Sequence, residues 1–533
     1  MKRLFTPIFH HVIKTFYARG HMAFRENFDR LEIIQRQKLS TLLAGCEKTE
    51  WGKNLGVKAN LSYEHFKEMV PLQSYETLEP AILEQRKSGL AILSHQCQRY
   101  QPTSGSSNQR KWIPYNQALL DEFDKGAGPW IYDLYTSFPH VIEGKHYWSL
   151  SWLPQNLKAE MVDNDDLNYF PWYKRLILKF TMAVPSNVQN TPTLESSRYL
   201  TLIHLANTQN LSMIFIWSPT YFFSLLEELM LYRESLSESL KQGKFTSFVQ
   251  ELEKFRCPSN LEAAKILLEN DQVETLVEEL WPMLSMLSCW DTAEAHFWTE
   301  KIKKQFPRLK IQGKGLVATE AMVTIPFQDQ YLLSYHSHFF EFMDLHTKEV
   351  LPSWELKKGQ HVKPILTTGN GFCRYMLEDH LLVLESFYGC PNLKFMGRLG
   401  GVDLVGEKIS RELSAELLNL ISLKFAKVIP VTLVGVRKIE GLEKSGYVLI
   451  VEVENDKVDY ELLSNEIAKF AESWLMESHH YHLARDLKQL LALQVYMAHD
   501  GLHYYQDLML KKGLMEGDIK VESLIRLDEW GAQ

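Results

Sequence analysis

Thr103-Ser104-Gly105-Ser106-Ser107-Asn108-Gln109-Arg110-Lys111-Trp112-Ile113-Pro114 gathers hydroxyls around a glycine and sets a lysine four residues past the last serine. That combination suits the triphosphate of a nucleotide. Gly105 lets the backbone turn close against phosphate oxygens. The hydroxyls of Thr103, Ser104, Ser106 and Ser107 donate hydrogen bonds to them, and Lys111 adds a compact positive charge. The spacing G-x-x-x-x-G-K-[ST] is missing, which excludes a Walker loop. Turn chemistry alone makes a Ser/Thr/Gly run equally compatible with a plain surface loop, so the rest of the chain has to decide.

Further blocks flank the loop. Val70-Pro71-Leu72-Gln73-Ser74-Tyr75-Glu76 precedes it, and Trp217-Ser218-Pro219-Thr220 and Gly313-Lys314-Gly315-Leu316-Val317-Ala318-Thr319-Glu320 follow. Then come Leu366-Thr367-Thr368, Arg374-Tyr375, Asp379, Gly397-Arg398, Val402 to Lys408, and Gly517-Asp518-Ile519-Lys520 near the end. In this order the blocks resemble the auxin-inducible acyl acid amido synthetase family in its bacterial form, within the acyl-adenylate-forming superfamily. Bacterial members carry T-S-G-S-[ST]-x-x-x-K-x-I-P at the loop, and Thr103 to Pro114 matches each fixed position. The resemblance covers essentially the whole chain.

It implies an α/β adenylate-forming fold. Residues 1–400 would be a large α/β domain for nucleotide and acyl group, and residues 401–533 a small, mobile α+β cap. The implied reaction uses ATP and Mg²⁺ to activate a small carboxylic acid as its acyl-adenylate, releasing pyrophosphate. An amine then takes the acyl group, an amino acid first by resemblance, to give an amide. Thioester formation with coenzyme A and a non-catalytic acyl- or nucleotide-binding module are the alternatives.

The same resemblance suggests roles. Thr319-Glu320 matches the family's [ST]-E pair, whose carboxylate holds Mg²⁺ against phosphate oxygens. Asp379 matches the ribose-binding aspartate, a carboxylate accepting from both ribose hydroxyls. Arg374 and Tyr375 fall at the R-Y positions beside the nucleotide, and Arg398 resembles the hinge arginine. Lys520 looks like the catalytic lysine brought to the α-phosphate by the cap, with Lys111 beside it in the loop. One departure stands out: Glu378 occupies the place of a glycine before the aspartate. A side chain at a positive-φ position would be strained, and a second carboxylate would sit beside the ribose.

Composition fits a soluble multidomain enzyme. A chain of 533 residues that is 45% hydrophobic exceeds the usual size of a single core. Its 58 basic residues are dispersed among 66 acidic ones, net −8, so no footprint for nucleic acid is visible. Six cysteines at 46, 97, 257, 289, 373 and 390 lack a C-x-x-C pair and suit free thiols in a reducing, cytoplasmic compartment. Pro7, His10 and His11 interrupt any apolar N-terminal core, arguing against a cleaved signal, and no run suits a membrane span.

Periodicity predicts a helix through Phe28, Leu31, Ile34, Leu39, Leu42 and Leu43. Leu211 to Trp217 reads as a strand, followed by a helix capped by Ser218 with Pro219 at its first position. Residues 234–310 read as mostly helical, and Tyr331–Leu333 with Phe339–Met343 as a strand pair. Further on, Val431–Arg437 with Tyr447–Glu454 read as a hairpin, Tyr460–Glu477 as a helix, and Leu483–Ala498 as mixed. Gly397, Gly400 and Gly401 mark a candidate hinge. Histidines 479, 480, 482, 499 and 503 lack the partners of a zinc site, and Asp163-Asn164-Asp165-Asp166 lacks those of a calcium loop, so both read as solvated surface.

Overall fold

A computed structural model describes residues 2–95, 97, 99–103, 111–149, 179–425, 427–440, 442, 444–453, 459–514 and 519–531. Leu211–Phe215 is buried along almost its whole length and lies inside a four-stranded parallel sheet ordered Lys145–Trp148, Leu211–Phe215, Met286–Ser288, Lys310–Gln312. A parallel strand covered on both faces needs apolar residues on both, which is why the sequence there is a continuous apolar run. The chain then enters the helix Pro219–Leu231 through Ser218, whose backbone is extended and whose hydroxyl lies 2.6 Å from that of Thr220. Pro219 fills the first helical position, where its missing N–H costs nothing.

A second sheet is antiparallel, ordered Val350–Pro352, Phe339–Asp344, His361–Thr367, Asp379–Val383, Leu393–Arg398, with Tyr375–Met376 paired to His361–Thr367. The expected pairing of Tyr331–Leu333 with Phe339–Met343 is not what forms. Gln330–Leu333 pairs instead with Thr324–Phe327. Gln328 and Asp329 both take left-handed φ, 47° and 59°, which closes a two-residue hairpin turn. Phe339–Asp344 is thereby left to pair with His361–Thr367.

The C-terminal sheet runs Gln494–Ala498, Gly446–Val453, Val428–Ile439, Leu524–Trp530. Its central pair is the predicted hairpin, with a register shift at Pro430/Thr432 where proline offers no N–H to the ladder. The helices Arg411–Lys424 and Tyr460–Leu475 contribute Leu417, Ile421, Ile467 and Leu475 to an apolar cluster on one face. The helix Gly501–Lys511 contributes Tyr505 and Met509 to another.

The N-terminal helix Lys2–Glu26 belongs to the packed body. His10 is buried, 2.8 Å from the Tyr135 hydroxyl and 3.0 Å from the Gly144 carbonyl. The predicted helix after it is realised as Leu31–Cys46, entered through a short 3-10 turn at Phe28–Arg30. Among the described residues no helix is long and apolar enough to cross a membrane.

Candidate active site

Two antiparallel strands flank the hydroxyl-rich loop along the chain. Arg99–Pro102 pairs with Trp112–Tyr115, and the Thr103 N–H donates to the Lys111 carbonyl at 2.9 Å, so both ends of the loop are fixed. Ser104, Gly105, Ser106 and Ser107 lie outside the described residues. The hairpin is tied down on two sides. Trp112 N–H donates to the Tyr75 hydroxyl at 2.7 Å, and the Tyr115 hydroxyl donates to the Thr319 carbonyl at 2.7 Å. Lys111 Nζ lies 5.2 Å from the centroid of Tyr75. The blocks Val70–Glu76 and Thr319-Glu320, separated from the loop along the chain, are thus its immediate supports.

Glu320 is buried, and the Tyr375 hydroxyl donates to its Oε1 at 3.3 Å. Tyr375 is held by main-chain bonds: Gln73 N–H donates to the Arg374 carbonyl and Met376 N–H to the Gln73 carbonyl, both at 2.9 Å. Burial raises the Glu320 carboxyl above the usual range. Arg398 and Lys111 act in the opposite direction, and Asp379 adds to the rise. Four groups from separate blocks therefore share one electrostatic neighbourhood.

Asp379 and Arg398 face each other across neighbouring strands, with Arg398 Nε 3.5 Å from Asp379 Oδ1. Asp379 Oδ2 is buried and, among the described residues, has no hydrogen-bond partner. Arg398 is pushed above the ordinary arginine range, chiefly by Asp379, with Glu522 and Glu320 adding to it.

Lys520 lies on the C-terminal segment, its carbonyl accepting from the Tyr505 hydroxyl at 2.7 Å. Its Nζ is 4.0 Å from the centroid of Trp290. Both border a solvent-open cleft of about 520 Å³ whose wall also includes Ser218, Gly315 and Phe395. Two contacts seat this segment against the rest of the chain: Arg411 Nη2 is 2.8 Å from Glu522 Oε2, and the Ser523 hydroxyl donates to Glu294 Oε1 at 3.4 Å.

Two expectations are corrected. Arg374, expected beside the nucleotide, spends its guanidinium on the protein. Nε donates to Glu341 Oε2 at 2.9 Å, Nη2 to Glu341 Oε1 at 3.1 Å, and Nη1 to the carbonyls of Lys67 and Val70 at 2.7 Å each. Arg374 also carries the left-handed φ of this turn, 55°. Glu378 does not have positive φ. Its carboxylate is 58% exposed and 3.4 Å from Lys363 Nζ, whereas Asp379 is buried. The strain expected of a positive φ is absent there.

Trp290, Glu122 and His338 escaped the sequence reading, since single aromatic or polar residues outside recognisable blocks carry no signal. Lys314 was read only as part of a block. It is wholly buried, with Nζ 2.7 Å from the centroid of Phe215, 4.8 Å from Trp217 and 5.3 Å from Trp130. Among the described residues that nitrogen has no acceptor, and burial holds it well below the usual lysine range. In the C-terminal part, His482 and His503 lie beside Asp486 and Asp507 at 3.4 and 3.7 Å. The acidic loop at Asp163 to Asp166 lies outside the described residues.

Two family models match the chain: the GH3 family N-terminal domain over residues 21–311 and the GH3 family central domain over residues 331–398. The chain belongs to the GH3 family. A relative from Oryza sativa subsp. japonica, "Probable indole-3-acetic acid-amido synthetase GH3.2", is 22% identical over 424 residues, 69% of this chain and 66% of that one. The GH3 chain thus matches about two thirds of that relative's length. Among solved structures, a GH3.15 acyl acid amido synthetase superposes with a TM-score of 0.76 at 17% identity, covering 95% of this chain and 93% of that one. "AtGH3.15 acyl acid amido synthetase in complex with 2,4-DB" does so at 0.79, with the same coverage and identity. At that identity the likeness establishes the fold, which is the adenylate-forming α/β fold expected from the sequence.

Proposed function

We propose that this GH3 chain is an acyl acid amido synthetase: it activates a carboxylic acid with ATP as an acyl-adenylate and passes the acyl group to an amine, an amino acid first. One observation carries the reading. Glu320, which is buried, lies within the electrostatic reach of Asp379, Arg398 and Lys111, and this supports a shared site for the groups assigned here to adenylation.

Adenylation builds negative charge between the α-phosphate, the acid and the departing pyrophosphate, and positioned cations are the means of stabilising it. Lys111 would supply one from the phosphate-loop hairpin, and Lys520 another from the wall of the cleft. Asp379, with a buried oxygen that has no donor among the described residues, suits a ribose hydroxyl. Arg398 holds that carboxylate in place. Arg374 belongs to the support: it fixes the backbone that carries Tyr375, not the nucleotide.

The residues fit Mg²⁺. Glu320 is a buried carboxylate that accepts the Tyr375 hydroxyl at 3.3 Å, and such a group accommodates a hard cation. Held by Glu320, the ion would supply positive charge to offset that of the nucleotide's phosphates.

Residues 401–533 act as a mobile cap in this reading, pivoting at Gly397 and Gly400, whose φ values of 121° and 104° are open to glycine. Closure would bring Lys520 to the reacting phosphate. The relatives' names, which mention indole-3-acetic acid and 2,4-DB, put aryl and indolyl acids at the head of the substrate list. A reducing, ATP-rich cytoplasm goes with the six free thiols.

The test is acid-dependent exchange of labelled pyrophosphate into ATP across aryl, indolyl and fatty acids, followed by mass analysis of products formed with pooled amino acids or coenzyme A. Exchange with an amide product is expected. A thioester without an amide moves the chain to the ligase alternative, and nucleotide binding without exchange for any acid makes it a binding module.

A further inference from the structure

One buried carboxylate links the helix that follows the phosphate-loop hairpin to the Glu320 loop and to the turn after Leu366–Thr368. Glu122 stands on the helix Gln117–Ser137, which follows the phosphate-loop hairpin directly, and is 3% exposed. Its Oε2 accepts the Gly369 N–H at 2.8 Å, in the turn after Leu366–Thr368, and lies 2.9 Å from His338 Nδ1. His338 is itself fully buried, and its Nε2 accepts the backbone N–H of Met322 at 3.2 Å, two residues beyond Glu320. A backbone N–H can only donate. Nε2 is therefore the bare ring nitrogen, and Nδ1 carries the proton donated to Glu122. The relay runs in one direction, from Met322 through His338 to Glu122, where Gly369 joins it. Lys38 Nζ, 3.7 Å from Glu122 Oε1, faces the other oxygen. The turn is also laced to the hairpin: Asn116 Nδ2 donates to the Gly369 carbonyl at 2.8 Å and Asn370 Nδ2 to the Pro114 carbonyl at 3.0 Å. A Cβ on Gly369 would lie 2.8 Å from that of Ala118, so the close approach requires glycine.

We infer that Glu122 and His338 are positioning residues of this site: together they set the register of the Glu320 loop and the Gly369 turn against the phosphate-loop hairpin, and so the grip on Mg·ATP. The inference rests on the nucleotide reading above. Its physical basis is the cost of an unmade buried hydrogen bond. Without the imidazole, the Met322 N–H loses its acceptor in a dry interior, and the loop must move to find another. Groups that hold a metal-ligand loop from behind govern affinity through orientation.

Three variants separate positioning from bulk stability. His338→Gln keeps a donor for Glu122 and an acceptor for Met322, whereas His338→Ala removes both. Glu122→Gln keeps an acceptor for Gly369 but can turn an N–H against Nδ1–H. Two measurements are needed: amide hydrogen exchange of peptides spanning Met322 and Gly369 in the ligand-free protein, and the Mg²⁺ and ATP dependence of pyrophosphate exchange. His338→Ala should speed exchange at Met322 and raise the KM for Mg·ATP by about tenfold or more, with kcat at saturation little changed. His338→Gln should restore both readouts. The inference is overturned if His338→Ala leaves exchange at Met322 and KM unaltered, or if His338→Gln is no better than alanine. Should the alanine variant fail to fold, Glu122→Gln bears the same comparison against wild type. Protection at Met322 that follows the relay in a protein inert toward every acid would sink the enzymatic reading and leave the relay standing.

Discussion

Lys520 Nζ rests 4.0 Å from the centroid of the Trp290 ring, on the wall of the cleft that Gly315 and Phe395 also border. A ring face attracts an ammonium without neutralising its charge. Lys520→Ala should therefore slow pyrophosphate exchange on the order of 10²-fold, the usual loss for one transition-state electrostatic donor. ATP binding, read by calorimetry, should persist because the interaction matures only as charge develops. Exchange at the wild-type rate would assign that charge to Lys111 or Arg398.

Asp379 differs because, in its proposed role, it would serve a bound nucleotide before and during reaction alike. Asp379→Ala should raise the KM for ATP with a smaller effect on kcat, the pattern of lost uniform binding. It also strips Arg398 of its nearest counter-charge, so the arginine should fall back toward its ordinary range. A large drop in kcat at saturating ATP would argue that the pair acts on chemistry.

Glu378→Gly tests the one departure from the family pattern. The residue lacks positive φ, its carboxylate is exposed, and its contact with Lys363 is a surface ion pair. The glycine variant should keep its ATP requirement and change stability by no more than about 1 kcal/mol, the sum of a weak surface pair and a glycine penalty. A lowered KM for ATP would show that Glu378 does burden the ribose site.

Lys314 carries a pH signature. Burial holds its ammonium well below the usual range, so between that depressed value and about 10.5 the unfolded chain binds a proton that the folded chain lacks. Stability from this residue must rise with pH across that span, and the penalty fades as pH approaches the ordinary lysine value. Lys314→Met, similar in size and without the amine, should stabilise the protein by about 1 kcal/mol or more at pH 7. The gain should shrink toward pH 10, as read by paired melting curves. Equal gains at both pH values would mean that the amine is not the source.

Local rules carried far. The apolar run Leu211–Phe215, the Ser218-Pro219 helix start and the hairpin across Val428–Ile439 and Gly446–Val453 follow from side-chain pattern and turn chemistry, and each forms where the sequence places it. Pairing between segments was less legible. Tyr331–Leu333 and Phe339–Met343 are strands as predicted, yet the left-handed pair Gln328-Asp329 turns the first back on Thr324–Phe327, and composition alone did not reveal that turn. Arg374 and Glu378 were misjudged for a related reason. Their burial and partners depend on Glu341 and Lys363, which come from other strands.

The sequence by itself determined the family, the adenylate-forming fold and the blocks that supply hydroxyls, carboxylates and cations, because those depend on residue type and order along the chain. Tertiary structure alone decided which oxygen of Asp379 has no donor among the described residues, that the Arg374 guanidinium meets Glu341 and the carbonyls of Lys67 and Val70, and that Glu122 and His338 tie the backbones of Met322 and Gly369 to one helix. Those properties arise from distance and desolvation between residues up to hundreds of positions apart, and neither quantity is written in a linear order of side chains.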